Sequence, residues 1–247
     1  MFINRFTSPN YNQRENSKID MLVLHYTAMA GSCEDVCKWL CNETSHVSSH
    51  YVVDRDGTIF SLIDDNHRAW HAGVSFWDGS SDINSRSIGI EIHNLGEGDC
   101  FPEKQISSLC RLIKNLMDKH GISRHNVLGH SDVAPERKKD PGNSFPWIDL
   151  HEQGIGIWSN KKITNNKSMV NIGEKSQKIE EVQNHLKSMG YNINVNSIYD
   201  NATRIIIEAF QRHWRPKKTD GFLDLETEVL LKDVFSQFKY MKKLDLD

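Results

Sequence analysis

The sequence predicts a mixed α/β domain, a central sheet flanked by helices, followed by a small all-α bundle of three helices. Three observations predict it. Apolar strand patterns alternate irregularly with helical ones from the N-terminus to about residue 158, with one hairpin among them, which argues for helices packed on a mixed sheet. The stretch Ser159 to Ser168 is polar and without period, the mark of a linker. Beyond it every pattern is helical, and about 75 residues with three helices suffice for a small bundle. On this reading residues 1–158 form the first domain, 159–171 the linker and 172–247 the helical domain.

Residues 1 to 18 are polar and aperiodic and read as an irregular arm. Ile19 to Tyr26 is a buried-type strand that ends on His25 and Tyr26. A helix follows over 33–43, with Val36, Trp39 and Leu40 on one face. His50 to Val53 and Thr58 to Ile63 are two strands joined by Asp54-Arg55-Asp56-Gly57, a hairpin turn because Asp-Gly accepts positive φ cheaply. Asp64 to Arg86 reads as a long loop, a kind of segment that is usually functional or disordered in a compact domain. Ser87 to His93 alternates: Ile88, Ile90 and Ile92 face one side, Gly89, Glu91 and His93 the other.

A second helix follows Pro102 and stops at Gly121, with Ile106, Leu109, Cys110, Ile113, Leu116 and Met117 at helical spacing. Asn126 to Gly129 is a short strand that delivers His130. In the C-terminal part, Ile179, Val182, Leu186 and Met189 mark one helix, Ala202 to Trp214 a second and Thr227 to Met241 a third.

Composition narrows the function classes. The net charge of −3 encodes no overall pull toward nucleic acid. No apolar run approaches the length of a membrane span. Met1 to Phe6 lacks the basic-then-apolar pattern of a cleavable signal peptide. The five cysteines are odd in number and match neither a zinc knuckle nor a disulfide framework. Cys33, Cys37 and Cys41, spaced by four along one side of a helix, read as small buried apolar residues, and free thiols favour a reducing compartment.

The chemistry concentrates in Gly129 to Gly142. Two ligand types, His130 and Asp140, lie on one loop at a strand end, and His25 ends another strand. Two histidines and a carboxylate leave one tetrahedral position of a zinc ion open, as hydrolytic zinc sites require. Glu91 is the lone charge on its strand and points away from the Ile face, where it could take a proton from water. Lys138 precedes Asp140 by two residues and could face an oxyanion. From spacing alone, hydrogen-bonded rim histidines, a rim carboxylate paired with Arg86 and a solvated loop lysine remain open alternatives.

The first domain resembles the zinc-dependent N-acetylmuramoyl-L-alanine amidases of the fold shared by peptidoglycan recognition proteins and bacteriophage T7 lysozyme. Five blocks in the family's order carry the resemblance over about residues 18 to 155: Leu24-His25-Tyr26-Thr27; Ser49 to Val53 with Asp56-Gly57; Ala69-Trp70-His71-Ala72-Gly73; Ser87 to Glu91; and Gly129-His130-Ser131-Asp132 through Lys138, Asp140, Pro141 and Gly142. The Ala-Trp-His-Ala-Gly block, with Trp77 after it, looks most like the AmiD-type envelope amidases. The resemblance implies one zinc ion on His25, His130 and Asp140, Glu91 as acid/base and Lys138 as the oxyanion-side cation. It also implies that His71, with Trp70, lines the cleft wall near substrate. Ser49 stands where the phage branch has a tyrosine, and Asp82 where the cytoplasmic branch has an arginine.

Residues 172 to about 234 resemble the three-helix peptidoglycan-binding module, through Gly173, Val182-Gln183, Leu186, Gly190-Tyr191, Asp200-x-x-Thr203, Phe210-Gln211-Arg212 and Asp224-x-x-Thr227. The expected function is hydrolysis of the amide between N-acetylmuramic acid and L-alanine in peptidoglycan or muropeptides. The rivals are a non-catalytic peptidoglycan receptor and a zinc peptidase cutting within the stem peptide. The expected partner is peptidoglycan, with no nucleic acid, no membrane span and a monomeric chain. The wall-binding resemblance argues for the periplasm or export, the free cysteines for the cytoplasm.

Overall fold

The computed structural model describes residues 1–14, 17–163 and 170–245. Eight strands and eight α-helices are found among them. The strands are β1 (Phe2–Ile3), β2 (Tyr11–Gln13), β3 (Met21–Tyr26), β4 (Tyr51–Val53), β5 (Ile59–Ser61), β6 (His67–Ala69), β7 (Ser87–Ile92) and β8 (Val127–Gly129). The helices are α1 (Cys33–Leu40), α2 (Ile83–Arg86), α3 (Glu103–His120), α4 (His130–Val133), α5 (Trp147–Glu152), α6 (Gln177–Met189), α7 (Asn201–Trp214) and α8 (Leu225–Leu244).

Six strands form one sheet in the order β1-β5-β4-β7-β3-β8. β3 runs parallel to both β7 and β8, and β4 parallel to β7, while β4 and β5 pair antiparallel as the Asp-Gly turn requires. The mixed sheet flanked by helices is therefore as the sequence predicts.

Alternation along β3 divides its neighbours. Leu22 and Leu24 pack with Ile88, Ile90, Ile92 and the apolar stripe of α3 (Ile106, Leu109, Ile113, Leu116). Met21 and Val23 point the other way, into a core shared with α6, α7 and α8. His25 continues that second face, so the site and the helical bundle lie on the same side of the sheet.

Two expectations are corrected. The N-terminal arm is not irregular: β1 extends the sheet beside β5, and β2 pairs antiparallel with β6. Buried Arg14 anchors it, donating to the carbonyls of Asp65, Asn84, Ser85 and Ser87. Four outward carbonyls need a donor that no period in the sequence announces. The stretch 64–86 is likewise not all loop, since it contains β6 and α2. Asp82 caps α2 by accepting from Ser85 N–H.

The helical bundle explains its own motif. Asp200 accepts from Thr203 N–H and Oγ1 (2.8 and 2.7 Å), and Asp224 does the same with Thr227 (2.9 and 2.7 Å). These are N-caps of α7 and α8. Gln183 and Gln211 then repeat one role. Each donates to the capping threonine and accepts two backbone N–H groups of the preceding loop. The motif residues thus build the bundle.

The bundle is not separated from the sheet. Trp77, wholly buried, stacks edge-on against Tyr191 (4.8 Å) and lies so close to Gly190 that a Cβ there would meet its ring at 2.6 Å. Gly190 also has φ +138, which favours glycine. Trp214 Nε1 donates to Ile157 O, and Gln237 Nε2 to Trp158 O (both 2.9 Å). Of the expected linker, residues 164–169 lie outside the described residues. No helix among the described residues is long and apolar enough to cross a membrane.

A continuous core predicts one cooperative unfolding transition in urea, with fluorescence and far-UV circular dichroism coincident. Trp77→Ala should lower the unfolding free energy by about 3–5 kcal/mol, the cost of truncating a buried aromatic. Two separated transitions in the parent protein would contradict the shared core.

Candidate metal and catalytic site

Strand register brings the predicted residues together. His25 of β3 sits opposite Glu91 of β7, and Leu24 opposite Gly129 of β8, so His130 emerges beside His25. The loop after α4 then returns Asp140, whose carbonyl accepts from Ser131 N–H at 2.9 Å. His25 Nδ1, His130 Nδ1 and Asp140 Oδ2 form a triangle with sides of 2.9, 2.9 and 3.0 Å. All three side chains are buried.

The outer nitrogens of both rings are also held. His130 Nε2 lies 3.0 Å from Ala72 O, which fixes it as the protonated nitrogen and leaves Nδ1 with a lone pair. On the other ring the tautomer follows from a chain of hydrogen bonds. Ser87 Oγ gives its proton to Ile83 O (2.6 Å), so it accepts from His71 Nε2–H (3.1 Å). His71 Nδ1 is then unprotonated and accepts from His25 Nε2–H (3.1 Å), leaving His25 Nδ1 free to ligate. The chain needs His71 hard against β7. A Cβ on Gly89 would meet the His71 ring at 2.4 Å, so only glycine serves there.

The electrostatics suit a cation. Burial, then the neighbouring His130, pushes His25 down to about 4, keeping it neutral. Burial alone would raise Asp140, but His130 and His25 beside it hold its carboxyl well below the usual range. Burial, with Asp140 adding to it and Lys138 opposing, pushes Glu91 up to about 8. Glu91 Oε2 is enclosed with no hydrogen-bond partner among the described residues. Two imidazoles and a carboxylate, converging at bonding range with their outer atoms satisfied, fit zinc.

A cavity of about 490 Å³ opens on the triangle, lined in part by Glu91, Lys138, Trp70 and Trp39. Trp70 therefore stands on the cleft wall, its Nε1 donating to Asn12 (2.6 Å). His71 also lines the cavity, as expected. Its ring is buried behind His25 and both of its nitrogens are occupied. It packs over Gly89, the one place where β7 leaves room for it.

Sequence reasoning missed Ser87 and Ala72 O. Ser87 shares a face with Gly89 and Glu91 by period two, a signal that was available; a carbonyl leaves none. It missed Arg137 too, which donates to Val74 O at 2.7 Å and to Ala72 O. In a second group, the ligand atoms of Cys33, Asp54 and His93 lie within 4.8 Å of one another. There His93 pairs with Asp54 at 3.0 Å.

Comparison with known proteins identifies the family. Residues 15–143 match the family model for N-acetylmuramoyl-L-alanine amidase, and residues 175–231 that for a peptidoglycan binding domain. The chain is 32% identical over 237 residues to N-acetylmuramoyl-L-alanine amidase AmiD of Escherichia coli, covering 90% of this chain and 84% of that one. It is 33% identical over 158 residues to 1,6-anhydro-N-acetylmuramyl-L-alanine amidase AmpD of Haemophilus influenzae, covering 57% and 85%. The solved AmiD of E. coli, in complex with the substrate anhydro-N-acetylmuramic acid-L-Ala-D-gamma-Glu-L-Lys, superposes with a TM-score of 0.77 at 31% identity over 92% of this chain and 93% of that one. AmpDh3 of Pseudomonas aeruginosa superposes at 0.74 and 30% over 94% and 96%.

The raised Glu91 predicts a pH signature in the metal-free protein. Ionising this carboxyl costs stability from its usual 4.5 up to about 8, so stability falls across that window as pH rises. Glu91→Gln cannot ionise. In chelator its melting temperature should match the parent near pH 4.5 and exceed it at pH 8; parallel profiles would contradict the assignment.

Proposed function

The chain belongs to the N-acetylmuramoyl-L-alanine amidase family, and from that premise we propose how its residues do the work. It hydrolyses the amide joining the lactyl group of N-acetylmuramic acid to L-alanine of the stem peptide. The ligand in the related E. coli complex contains that bond. One zinc ion on His25, His130 and Asp140 is the reading the site supports best. The observation that carries it is the buried triangle of ligand atoms with both rings held by their outer nitrogens. Bound there, zinc supplies Lewis acidity toward water and toward a carbonyl in the cleft.

The protein's own groups handle the proton. Glu91 faces the cavity beside the triangle, accepts a proton from the attacking water and returns it to the departing amine of L-alanine. Burial and Asp140 favour its protonated form, whereas a divalent cation next to it favours the carboxylate. A cation held by His25, His130 and Asp140 would therefore favour Glu91 as the base. Lys138 lines the same cavity and places a positive charge where the carbonyl oxygen gains negative charge. Trp70 and Trp39 offer flat faces on the wall for the substrate.

A receptor without catalysis would dispense with a ligand or the base; here His25, His130, Asp140, Glu91 and Lys138 stand together at one cavity, which favours the enzyme. Residues 1–158 carry the catalysis and 172–247 the wall binding, joined through 159–171. Binding to an insoluble polymer raises the local substrate concentration and supports a place in the cell envelope.

A chelator should abolish cleavage of a soluble muropeptide and added zinc restore it. Glu91→Gln should keep zinc but lower kcat by about 100- to 10,000-fold. Mass spectrometry should find a free lactyl carboxylate and an intact stem peptide. Full turnover without metal, near-normal turnover of Glu91→Gln, or a cut within the stem would each contradict the proposal.

A further inference from the structure

The turn that presents two of the three ligands is held from the helical bundle. His130 opens α4, and Ser131 N–H binds the carbonyl of Asp140, so one turn of chain carries both. Asp132 closes it: its Oδ2 accepts from Gly129 N–H at 2.8 Å. Its remaining partners lie some 60 and 80 residues further along the chain. Tyr191 donates its hydroxyl to Oδ1 (3.1 Å), and His213 Nδ1 donates to Oδ2 (2.7 Å). The Asp132 carboxylate is wholly buried, where a lost partner cannot be replaced by water.

His213 is built for this contact. Its ring is sandwiched between Trp147 (3.6 Å, 14°) and Trp214 (3.8 Å, 2°). Its Nε2 is buried with no partner among the described residues. The hydrogen bond to Asp132 is thus the polar contact its burial secures, and the Trp sandwich fixes the ring's direction. Gly129 is also confined on the far side, where a Cβ would meet Pro141, the residue after Asp140, at 2.7 Å.

We propose that the helical bundle is a working part of the metal centre: His213 and Tyr191 are positioning residues that act through Asp132 on the turn holding His130 and Asp140. The proposal rests on the zinc reading of that site. It assigns the C-terminal unit a role in hydrolysis even of small soluble muropeptides, for which wall binding is irrelevant.

Full-length His213→Phe keeps the aromatic stack and removes the donor; Tyr191→Phe removes the other donor with little change of shape. His213→Asn restores an N–H near the position of Nδ1. Gln237→Ala weakens the same junction away from Asp132. Zinc affinity is read by competition with a chromophoric chelator, ligand geometry by the visible spectrum of the cobalt-substituted protein, and kcat and KM on a soluble muropeptide. His213→Phe and Tyr191→Phe should each weaken zinc binding by about tenfold, the low end for loss of an outer partner. Both should alter the cobalt spectrum and lower kcat with KM unchanged. His213→Asn should recover part of the affinity, and Gln237→Ala should leave it at the parent value. Parent-like zinc affinity and cobalt spectra in both Phe variants, with only the melting temperature reduced, would overturn the proposal. A parent protein that binds no zinc would overturn the metal centre and the proposal with it.

Discussion

Three ligand atoms within 3.0 Å of one another, buried under a cleft, are what this fold is organised to hold. Without a cation, two ring lone pairs and a carboxylate oxygen would crowd each other out of water at a high cost. The architecture keeps them there by making each approach from a different rigid element. β3 supplies His25, the end of β8 supplies His130, and the loop after α4 brings Asp140 back. Because β3 is flanked by β7 and β8, the same register that places the ligands places Glu91 one strand away. The triangle and Glu91 are thus set by one arrangement of backbone hydrogen bonds.

The next layer determines which ring nitrogens face the triangle. Ile83 O, Ser87, His71 and His25 form a relay in which each proton has one consistent place, and Ala72 O does the same for His130. These partners come from α2, β7 and the segment after β6, which explains why the stretch 64–86 is ordered rather than a loose lid. Beyond that layer the bundle covers the lower part of the same sheet face through Trp77, and reaches the ligand turn through Asp132. Ligand geometry and domain packing therefore share residues.

Much of this was legible in the sequence, because it follows from period and order. The alternation in Ser87 to His93 put Glu91 and the isoleucines on opposite faces, and β7 obeys it. The apolar stripe after Pro102 named Ile106, Leu109, Cys110, Ile113 and Leu116, all buried in α3, although Met117 is only half-buried and buried Gln105, Ser108 and Leu112 fall outside it. The ordered blocks around His25, His130 and Asp140 pointed to one cleft. What was not legible depends on tertiary contact. The packing of His71 is decided by the space over Gly89, which only the folded sheet creates. The arm carrying Arg14 has no period because its partners are carbonyls of distant turns. The Asp-x-x-Thr pairs look like binding motifs, yet their bonds are helix caps.

Zinc K-edge X-ray absorption of the metal-loaded protein tests the central claim most directly. The account predicts one zinc per chain with a first shell of two imidazole nitrogens and oxygen ligands, no sulfur, and loss of that shell in Asp140→Ala. A sulfur shell from the cysteines of α1, or a spectrum unchanged in Asp140→Ala, would contradict it.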